Sequence, residues 1–457
     1  MVGVVAVSRE QYNPWERRAT LGPRQVRQLV EEGVKVIVQP SKRRGYTVKE
    51  YQEAGATIQE DMSEASIITS IKDMSIESLI PNKTYTFFSH TIKAQPHSMP
   101  LLDAILEKNI RLVDYEKLTS GPGIWPASAM SRFAGIVGVL NILHGIGLRL
   151  MAFGFNTPFA HIAMAHNYVS YEAACQAVRD VGRRIAEGEM CVGPLTFVFT
   201  GAGGVSRGAQ EMFKHLPHEF VTPDKLPEVA QHGEKTKLYA TIVDIADDLS
   251  RISDGGFDEK EYNQHPELYQ SNFAKKVAPY ASCIVNGVYW QPGQPRLLTD
   301  ADAKTLLAHD PNAPQDLTDI GEDPILPRQL LAICDISADE DGSIQWTKYC
   351  TTADEPFCIY NQDGQIIKSG MTADGVLMCS VDNMPAQFPK DATDYFGELY
   401  LPYLKELLKT DANSTFEEYQ KAVCPALENA VIATNGKLAP KYQYIADLRA
   451  KSTSQNH

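Results

Sequence analysis

Strand-like and helix-like segments alternate along the first 120 residues, and this alternation restricts the folds open to the chain. The strand-like runs are short and rich in β-branched or aromatic residues: VGVVAVS (2–8), VKVIVQP (34–40), SIITSIK (66–72), KTYTFFSHT (83–91) and IRLVDYE (110–116). GPRQVRQLVEEG (22–33) and LLDAILEKN (101–109) have the apolar spacing of amphipathic helices. Strands that alternate with helices are typical of a parallel sheet, so we predict an α/β domain.

The same alternation starts again near residue 190, which predicts a second domain. A long helix is expected from about Met130 to Met151 and another at 171–189, before the apolar run PLTFVFT (194–200) enters a glycine turn. Residues 250–281 and 310–323 are polar and are expected to be irregular. The later strand-like runs are LYATIVD (238–244), ASCIVNGVYW (281–290), LLAICDIS (330–337) and GVLMCSV (375–381).

The charge balance argues against several classes of partner. The 43 Lys and Arg residues and 57 Asp and Glu residues give a net charge of −14, unlike a general binder of nucleic acid or of an anionic membrane surface. The apolar stretch 133–155 is interrupted by Asn141, His144 and Arg149, as in a buried helix rather than a membrane span. The first residues lack the basic region and cleavage pattern of a signal peptide.

Cysteine and histidine spacing predicts neither a disulfide framework nor a metal site. The eight cysteines include no CxxC pair, which indicates reduced intracellular thiols. His161 and His166 are spaced poorly for zinc, which favours short fixed pairs.

The sequence GAGGVSRG (201–208) follows an apolar strand and opens a helix, which is the setting of a dinucleotide-binding turn. Gly201, Gly203 and Gly204 permit a tight turn and a close approach of the backbone to a pyrophosphate. Val205 and Ser206 complete the candidate site, and Ser206 stands where G-x-G-x-x-G has its third glycine. An ordinary strand–helix turn is the alternative, but the setting favours nucleotide binding.

The residue that distinguishes NADH from NADPH is expected about 20 residues further along the chain, at the end of the next strand. That strand is expected in HEFVTPDK (218–225), where Glu219 stands early and Asp224 follows a proline. No acid then stands where it would bind a ribose 2′-hydroxyl and repel a 2′-phosphate, which favours NADPH.

Lys72 and His90 are candidate proton-transfer groups, because each follows a predicted strand of the first domain. Open parallel sheets hold their ligands at the C-terminal ends of strands. Repulsion between an ammonium and an imidazole that converge there is expected to push at least one of them towards neutrality at about pH 7. A solvated lysine and a hydrogen-bonded histidine are the alternative.

Cations near these positions are candidate carboxylate-binding groups. Arg17 and Arg18 precede a helix, where a guanidinium suits a carboxylate, although a surface charge pair is the alternative. Lys93 and Gln95 add a cation and an amide close to His90.

Acids follow two strand-like runs of the second domain. Asp335 and Asp339 end one run, and Asp382 begins the sequence DNMPAQFP after another. Such residues often only cap or turn the chain.

Taken together, these motifs resemble the lysine-ketoglutarate reductase half of animal aminoadipic semialdehyde synthases, and the resemblance covers essentially the whole chain. Fungal saccharopine dehydrogenase and alanine dehydrogenase are more distantly similar, sharing the E-x-R-x-x-L-x-P start, the Lys and His, and N-M-P. The segments that carry the resemblance are WERRATLGP, SIK, FFSHTIKAQ, LVDYEKL, ILHGIGLRL, GPLTFVFTGAGGVS, DISADEDGSIQ and VDNMPAQFP.

The resemblance implies two Rossmann-like domains with parallel sheets, joined by long helices, with an active-site cleft between them. Residues 1–130, completed by 390–457, would form the substrate domain, and residues 131–389 the NADP-binding domain with linker helices. The implied reaction converts L-lysine, 2-oxoglutarate and NADPH into saccharopine, NADP⁺ and water. The resemblance also implies a saccharopine dehydrogenase half in the full-length protein and a place in the mitochondrial matrix, although this chain shows no transit peptide. Whether it forms a homo-oligomer is left open.

The resemblance also assigns roles to individual residues. Lys72 and His90 fall on the proton-transfer pair, and Asp339 falls on an aspartate near the nicotinamide. The implied substrate-binding residues are Arg18, Lys93, Gln95, Glu116 and Asp339. The implied cofactor-binding residues are Gly201, Gly203, Gly204, Val205, Ser206, Asp382, Asn383 and Met384.

One departure from the relatives leaves alternatives open. Their substrate arginine, expected near residue 126, is missing, and Arg132 lies six places further on. The departure motivates one alternative to the reductase, an NADPH-binding protein without turnover. An amino-acid dehydrogenase that uses free ammonia, like alanine dehydrogenase, is a separate alternative.

Overall fold

The computed structural model describes residues 3–119, 125–308, 326 and 328–455. The chain divides into two compact units, of which unit 1 comprises residues 1–130 and 389–457 and unit 2 comprises residues 131–388. The strands of the described residues, in chain order, are β1 (Val4–Val7), β2 (Lys35–Val38), β3 (Thr57–Ile58), β4 (Ile67–Lys72), β5 (Thr84–Phe88), β6 (Arg111–Asp114), β7 (Thr196–Thr200), β8 (His218–Phe220), β9 (Leu238–Val243), β10 (Leu249–Arg251), β11 (Tyr269–Ser271), β12 (Cys283–Asn286), β13 (Ala332–Asp335), β14 (Cys358–Tyr360), β15 (Ile366–Ile367), β16 (Val376–Cys379), β17 (Val431–Thr434) and β18 (Lys437–Leu438).

The helices, in the same order, are α1 (Pro23–Glu31), α2 (Val48–Glu53), α3 (Met99–Glu107), α4 (Pro126–Ala152), α5 (Tyr171–Ala186), α6 (Gly204–Phe213), α7 (Leu226–His232), α8 (Ile245–Asp248), α9 (Glu259–Gln264), α10 (Phe273–Lys276), α11 (Asp300–Leu306), α12 (Pro389–Leu407), α13 (Phe416–Ala422), α14 (Pro425–Ala430) and α15 (Tyr444–Gln455). Short 3₁₀ turns connect several of these elements.

Unit 1 is built on an eight-stranded sheet in the order β18-β17-β6-β5-β4-β1-β2-β3. The six strands from β6 to β3 run parallel, whereas β17 pairs antiparallel with β6 and with β18. The predicted α/β class is confirmed, and the sheet is mixed and mostly parallel. The antiparallel pair comes from the C-terminal segment, and mixed sheets commonly carry such a pair at one edge.

Unit 2 is built on a second eight-stranded sheet, in the order β15-β14-β16-β13-β12-β7-β9-β8. The strands from β16 to β8 are parallel, and β14 and β15 close the other edge in antiparallel pairing. β9 therefore lies directly beside β7, and β8 lies outside it, although β8 comes first in the chain. The two mostly parallel sheets with their helices are consistent with two Rossmann-like domains.

Two segments that were expected to be irregular have different outcomes. Residues 250–281 contain helices and the antiparallel pair β10–β11, so that expectation is wrong for this segment. Tyr262 and Tyr269 form a small aromatic cluster there with Phe257, and this cluster gives the segment an apolar core of its own. Residues 310–323 lie outside the described residues.

Helix α4 is largely buried because most of its residues are apolar. Among the described residues it is the one helix whose length and composition could suit a membrane span, but 83% of its most apolar window is buried inside the structure. A helix that is apolar all round and buried is typical of a protein core.

Helices α4 and α6 cross at two glycines. A Cβ atom on Gly208 would lie 2.1 Å from the carbonyl oxygen of Arg132, and one on Gly135 would lie 2.0 Å from that of Val205. Both contacts involve backbone atoms, which cannot move aside as the end of a flexible side chain can. Gly208, two places after the third glycine position of G-x-G-x-x-G, therefore permits close packing between these two helices.

Substituting Gly208→Ala should lower the free energy of unfolding by about 1–3 kcal/mol, because the added methyl group overpacks this crossing. Urea denaturation followed by circular dichroism measures the change. Gly256→Ala is the matched control, since its Cβ would meet only side-chain atoms at 3.2 Å or more. Equal effects of the two substitutions would show that the crossing tolerates a side chain.

Candidate active site and dinucleotide turn

Four neighbouring parallel strands of unit 1 end at the same edge of the sheet. Lys72 is the last residue of β4, His90 lies two residues after β5, and Glu116 lies two residues after β6. Glu10 follows β1 at the same edge. The structure thus brings the predicted pair Lys72 and His90 to one edge, together with two carboxylates.

The backbone at Lys72 is held by Glu10. The Glu10 carboxyl group accepts hydrogen bonds from the N–H groups of Ile71 at 2.7 Å and Lys72 at 3.1 Å. The Lys72 ammonium lies 4.6 Å from the centre of the Tyr12 ring, a cation–π contact. These contacts fix both ends of the lysine.

Glu10 was missed by the sequence analysis. Burial of its carboxyl group, together with the negative charge of Glu16, raises the pKa of Glu10 to about 8. A neutral carboxyl group is therefore available beside Lys72 at neutral pH. Its position in the sequence identifies it as a candidate, because it lies three residues beyond the first strand, at the edge where parallel sheets bind ligands.

His90 is paired with Glu116. Its Nδ1 atom lies 2.8 Å from Oε1 of Glu116, and its backbone is left-handed, with φ of 54°. The hydrogen bond and negative charge of Glu116 raise the pKa of His90, and the smaller effect of the Lys72 charge acts in the opposite direction. The expectation that repulsion from Lys72 dominates is therefore wrong for His90, because the carboxylate is closer.

A buried carboxyl group supports this pair from behind. Asp114, the last residue of β6, accepts hydrogen bonds from the backbone N–H groups of Ser89 at 3.1 Å and Glu116 at 2.9 Å, and from the Ser89 hydroxyl. Burial raises the pKa of Asp114 to about 6. Asp114 ties the residue before His90 to Glu116, so both partners are placed by one side chain.

Arg18 is buried in an ion pair with Glu16. Its Nε and Nη2 atoms donate to the two carboxylate oxygens at 2.8 and 2.6 Å, and its Nη1 atom donates to the sulfur of Met130 at 2.9 Å. The two side chains are 3% and 0% exposed. Arg17 instead donates to the carbonyl oxygen of Arg43 at 3.0 Å. The surface-pair alternative is wrong for Arg18, and its role as a substrate ligand stays a prediction.

Lys93 and Gln95 are exposed and follow His90 on a short turn. Burial acts to raise the pKa of the Glu116 carboxyl group. The hydrogen bond from His90 and the charges of His90 and Lys93 act in the opposite direction, and the pKa is lowered overall. Lys93 therefore adds positive charge near the pair. The role of Gln95 stays a prediction.

The glycine turn of unit 2 has the shape that a pyrophosphate needs. Gly201 has φ of +76°, and Gly203 is the N-cap of α6 with open space where a Cβ would stand. No side chain caps the helix at this residue, so backbone N–H groups at its first turn face that space. Ser206 is buried and accepts a hydrogen bond from Gln210 at 3.1 Å. The turn fits a dinucleotide.

A buried polar network lies at the same strand ends and was not foreseen. Thr200 donates to Asn286 at 2.6 Å, and Asn286 donates to Asp335 at 2.8 Å. Asp335 also accepts hydrogen bonds from Ser337 and Thr347, and burial raises its pKa. Asp335 thus serves the packing of β7, β12 and β13.

The other predicted residues of unit 2 follow β13 and β16. Asp339 is half-buried after β13, and Asp382 is exposed after β16. Asn383 has φ of 62°, and Met384 is buried. These positions lie at the carboxyl edge that carries the glycine turn, and their roles toward a cofactor stay predictions.

Arg132 does not replace the missing arginine in this structure. Its Nε and Nη2 atoms donate to the Glu211 carboxylate at 2.8 and 2.5 Å within unit 2. The alternative that depends on this departure therefore stays open.

The strand order corrects the argument for NADPH. The expectation of NADPH depends on β8 lying beside β7, whereas the strand beside β7 is β9. Glu219 of β8 pairs with Lys237 at 2.9 Å on the outer strand. The residue directly after β9 is Asp244, so an acid does end the strand beside the glycine turn.

Over the described ranges, no group of three or more His, Cys, Asp or Glu side chains is arranged to hold a metal ion.

Comparisons with known protein families match two parts of the chain. Residues 6–135 match the family described as alanine dehydrogenase/PNT, N-terminal domain, and residues 332–441 match its C-terminal domain, together more than half of the chain. The chain belongs to the alanine dehydrogenase/PNT family. Domains of this type imply a nicotinamide dinucleotide cofactor.

Relatives confirm the resemblance that the motifs indicate. The chain is 49% identical to alpha-aminoadipic semialdehyde synthase, mitochondrial, of Bos taurus, over 98% of this chain and 48% of the bovine protein. It is 36% identical to the alpha-aminoadipic semialdehyde synthase of Arabidopsis thaliana, over 99% of this chain and 42% of that protein. The chain therefore spans about half the length of these synthases. It is 24% identical to a saccharopine dehydrogenase (NAD(+), L-lysine-forming) of Yarrowia lipolytica, over 88% of this chain and 92% of that protein.

Solved structures support the fold. An L-alanine dehydrogenase matches with a TM-score of 0.56 and 16% identity, over 97% of this chain and 99% of that one. A transhydrogenase from Sinorhizobium meliloti matches with a TM-score of 0.55 and 13% identity, over 95% of this chain and 100% of that one.

Glu116→Gln should lower the pKa of His90, because it removes the charge and hydrogen bond that raise it. In the native protein, the stability that His90 gains from Glu116 is present below its unfolded pKa and is lost as pH rises through its raised folded pKa. NMR titration of the imidazole, assigned with His90→Gln, measures the shift. Glu77→Gln, an equal charge change on an exposed residue, is the control, and a His90 pKa unmoved by Glu116→Gln would contradict the pairing.

Glu16→Gln should destabilise the protein by about 3–5 kcal/mol, because it leaves the Arg18 charge buried without its partner. Chemical denaturation gives the value. The exposed pair Arg24–Glu398, with side chains 60% and 64% exposed, is the control, and Glu398→Gln should cost about 0–1 kcal/mol. Similar losses from the two variants would mean that Arg18 is stabilised by other contacts.

Proposed function

We propose that the chain is a lysine-ketoglutarate reductase, which condenses L-lysine with 2-oxoglutarate and reduces the imine to saccharopine with a nicotinamide dinucleotide. The observation that carries the proposal is the joint position of Lys72, His90, Glu10 and Glu116 at one edge of the unit 1 sheet, in a chain related to the aminoadipic semialdehyde synthases. Oxidoreductase action on a CH–NH donor and a mitochondrial location are part of the same proposal, and the relatives' names support both.

The chemistry requires proton transfers that these side chains suit. The ε-amine must be neutral to attack the keto carbon, and the carbinolamine must be protonated to expel water. Glu116 engages Nδ1 of His90 and favours the imidazolium, so Nε2 is the atom that holds the transferable proton. The charge of Lys72 acts on His90, and the Glu10 carboxyl group, whose pKa burial raises, contacts the Lys72 backbone; both are proposed as further proton-transfer groups. The bound dinucleotide supplies the hydride.

Binding of the substrates requires positive charge in an acidic protein. Saccharopine carries three carboxylates, and Arg18 and Lys93 are the proposed partners in unit 1, with Gln95 as a hydrogen-bonding neighbour. Glu116 is proposed as a positioning residue for His90 rather than as a direct substrate ligand, because its carboxylate already holds the imidazole.

The form of the dinucleotide that we propose is NADPH, which the resemblance to the aminoadipic semialdehyde synthases implies. NADPH was predicted because no acid ended the strand that follows the glycine turn, and the sheet order removes this ground. The relative in Yarrowia lipolytica carries NAD(+) in its name.

The first test is an assay of dinucleotide oxidation with 2-oxoglutarate and either L-lysine or ammonia, using NADH and NADPH separately. We expect turnover with lysine and formation of saccharopine, which mass spectrometry identifies. Turnover with ammonia alone would indicate an amino-acid dehydrogenase. Dinucleotide binding without turnover under any condition would indicate a protein that has lost the reaction.

Lys72→Met and His90→Gln should each lower kcat by about 10²- to 10⁴-fold, because each removes a proton-transfer group. Their dinucleotide affinity should stay unchanged, since both residues belong to unit 1 and the glycine turn to unit 2. Steady-state kinetics and calorimetric binding measure the two quantities. Lys83→Met, a half-buried lysine just before β5, is the control, and variants that keep more than about a tenth of kcat would place the chemistry elsewhere.

A further inference from the structure

A cavity of about 340 Å³ lies at the carboxyl ends of β1 and β2 in unit 1, and we call it the β1–β2 cavity. The two strands pair in parallel and end level, with Val7 opposite Val38, so the segments that follow them leave the sheet at the same edge. These two segments form the cavity, whose lining residues are Arg9, Glu10, Gln11, Ser41, Lys42 and Arg43. Its volume is within the range of sites that bind small molecules.

Hydrogen bonds to the backbone hold the two segments in place. The Arg9 guanidinium donates to the carbonyl oxygen of Pro40 at 2.9 Å, which joins the first segment to the second. The Ser41 hydroxyl oxygen accepts from the backbone N–H group of Arg43 at 3.3 Å. Nε of Arg17 donates to the carbonyl oxygen of Arg43 at 3.0 Å and brings a further positive charge close to the cavity. The cations of the β1–β2 cavity therefore stand on a fixed backbone.

Positive charge exceeds negative charge around the β1–β2 cavity, although the whole protein has a net charge of −14. Arg9 pairs with the Glu60 carboxylate at 3.0 Å. Over the described residues, no carboxylate lies within ion-pair distance of the exposed side chains of Lys42 and Arg43. Glu10 is the one acid that lines the cavity, and burial of its carboxyl group raises its pKa to about 8. Most molecules therefore carry Glu10 uncharged at neutral pH, where it does not repel an anion.

Another cavity of unit 1 offers a direct comparison, because it has a similar volume of about 380 Å³ and also contains two cations, Arg24 and Lys405. Both of these cations are paired. Arg24 lies 2.9 Å from the Glu398 carboxylate, and Lys405 donates to the Glu32 carboxylate. Carboxylates of the protein thus already engage the donors that an anionic ligand needs. The β1–β2 cavity has two cations without such a partner among the described residues.

We infer that the β1–β2 cavity binds a small, multiply charged oxyanion, which carries two or more carboxylate or phosphate groups. A guanidinium group binds either kind of group through two parallel hydrogen bonds, and an ammonium group adds a point charge. The neutral Glu10 carboxyl group can donate a hydrogen bond to the same ligand. Arg18 and Lys93, the proposed partners of the substrate carboxylates, do not line this cavity. The inference therefore adds a second anion site to unit 1 and does not depend on the proposed reaction.

Isothermal titration calorimetry of the full chain, without substrate or dinucleotide, tests the inference with citrate and inorganic phosphate as separate probes. We expect at least one probe to bind. Its Kd should rise about 10-fold or more in Lys42→Gln/Arg43→Gln, because each substitution removes a hydrogen bond to a charged group. Both residues are exposed, so the variant should fold, which its thermal unfolding midpoint checks. If it does not fold, the two single variants give the same comparison with smaller losses.

The matched control is Arg24→Gln/Lys405→Gln, which removes the same charge from the other cavity and should leave Kd nearly unchanged, because salt screens distant charges. Lys93→Gln should also leave Kd unchanged. A selective loss with citrate identifies carboxylates as the ligand groups, and one with phosphate identifies phosphate groups; both support the inference.

Three other outcomes overturn the inference. An equal loss in the Arg24→Gln/Lys405→Gln control would show general electrostatic attraction rather than a site. A loss in Lys93→Gln, with none in Lys42→Gln/Arg43→Gln, would place the probe at the candidate substrate site. Absence of binding by both probes would show that the β1–β2 cavity does not collect oxyanions. Each of these outcomes leaves the reductase proposal standing.

Discussion

Parallel pairing of neighbouring strands is the constraint on which both candidate sites depend. Parallel hydrogen bonding levels the C-terminal ends of β1, β4, β5 and β6 in unit 1, and of β7, β9, β12, β13 and β16 in unit 2. Polar residues that are far apart in the sequence therefore meet at one edge, where backbone N–H and C=O groups also face outwards. In unit 1 this edge carries ionisable side chains, and in unit 2 it carries the glycine turn.

Carboxyl groups decide the electrostatics of the unit 1 edge. Glu116 raises the pKa of His90, Asp114 places Glu116, and Glu10 holds the Lys72 backbone. Burial in turn raises the pKa values of Glu10 and Asp114, so the edge contains neutral as well as charged acids at neutral pH. Such a set of coupled groups titrates as a unit, and its apparent pKa values belong to the cluster.

Glycines contribute to unit 2 for two separate physical reasons. Gly201 and Gly203 give the turn its left-handed backbone and its open face, whereas Gly208 and Gly135 let two helices touch through their backbones. A sequence pattern that counts glycines does not separate these roles. The displaced third glycine of the motif is explained by packing against α4, not by contact with a ligand.

Local pattern determined much of this protein. The period of apolar residues predicted most of the longer strands and helices, the α/β class, and the strand-end positions of Lys72, His90 and Gly201, because these depend only on neighbouring residues. Tertiary structure decided the rest: the pairing of His90 with Glu116, the support from Glu10, the antiparallel strands β17 and β18 at one edge, and the insertion of β9 between β7 and β8. Each of these joins residues distant in sequence through strand order. Strand order depends on which apolar faces pack together, and a local reading of one chain does not contain that information.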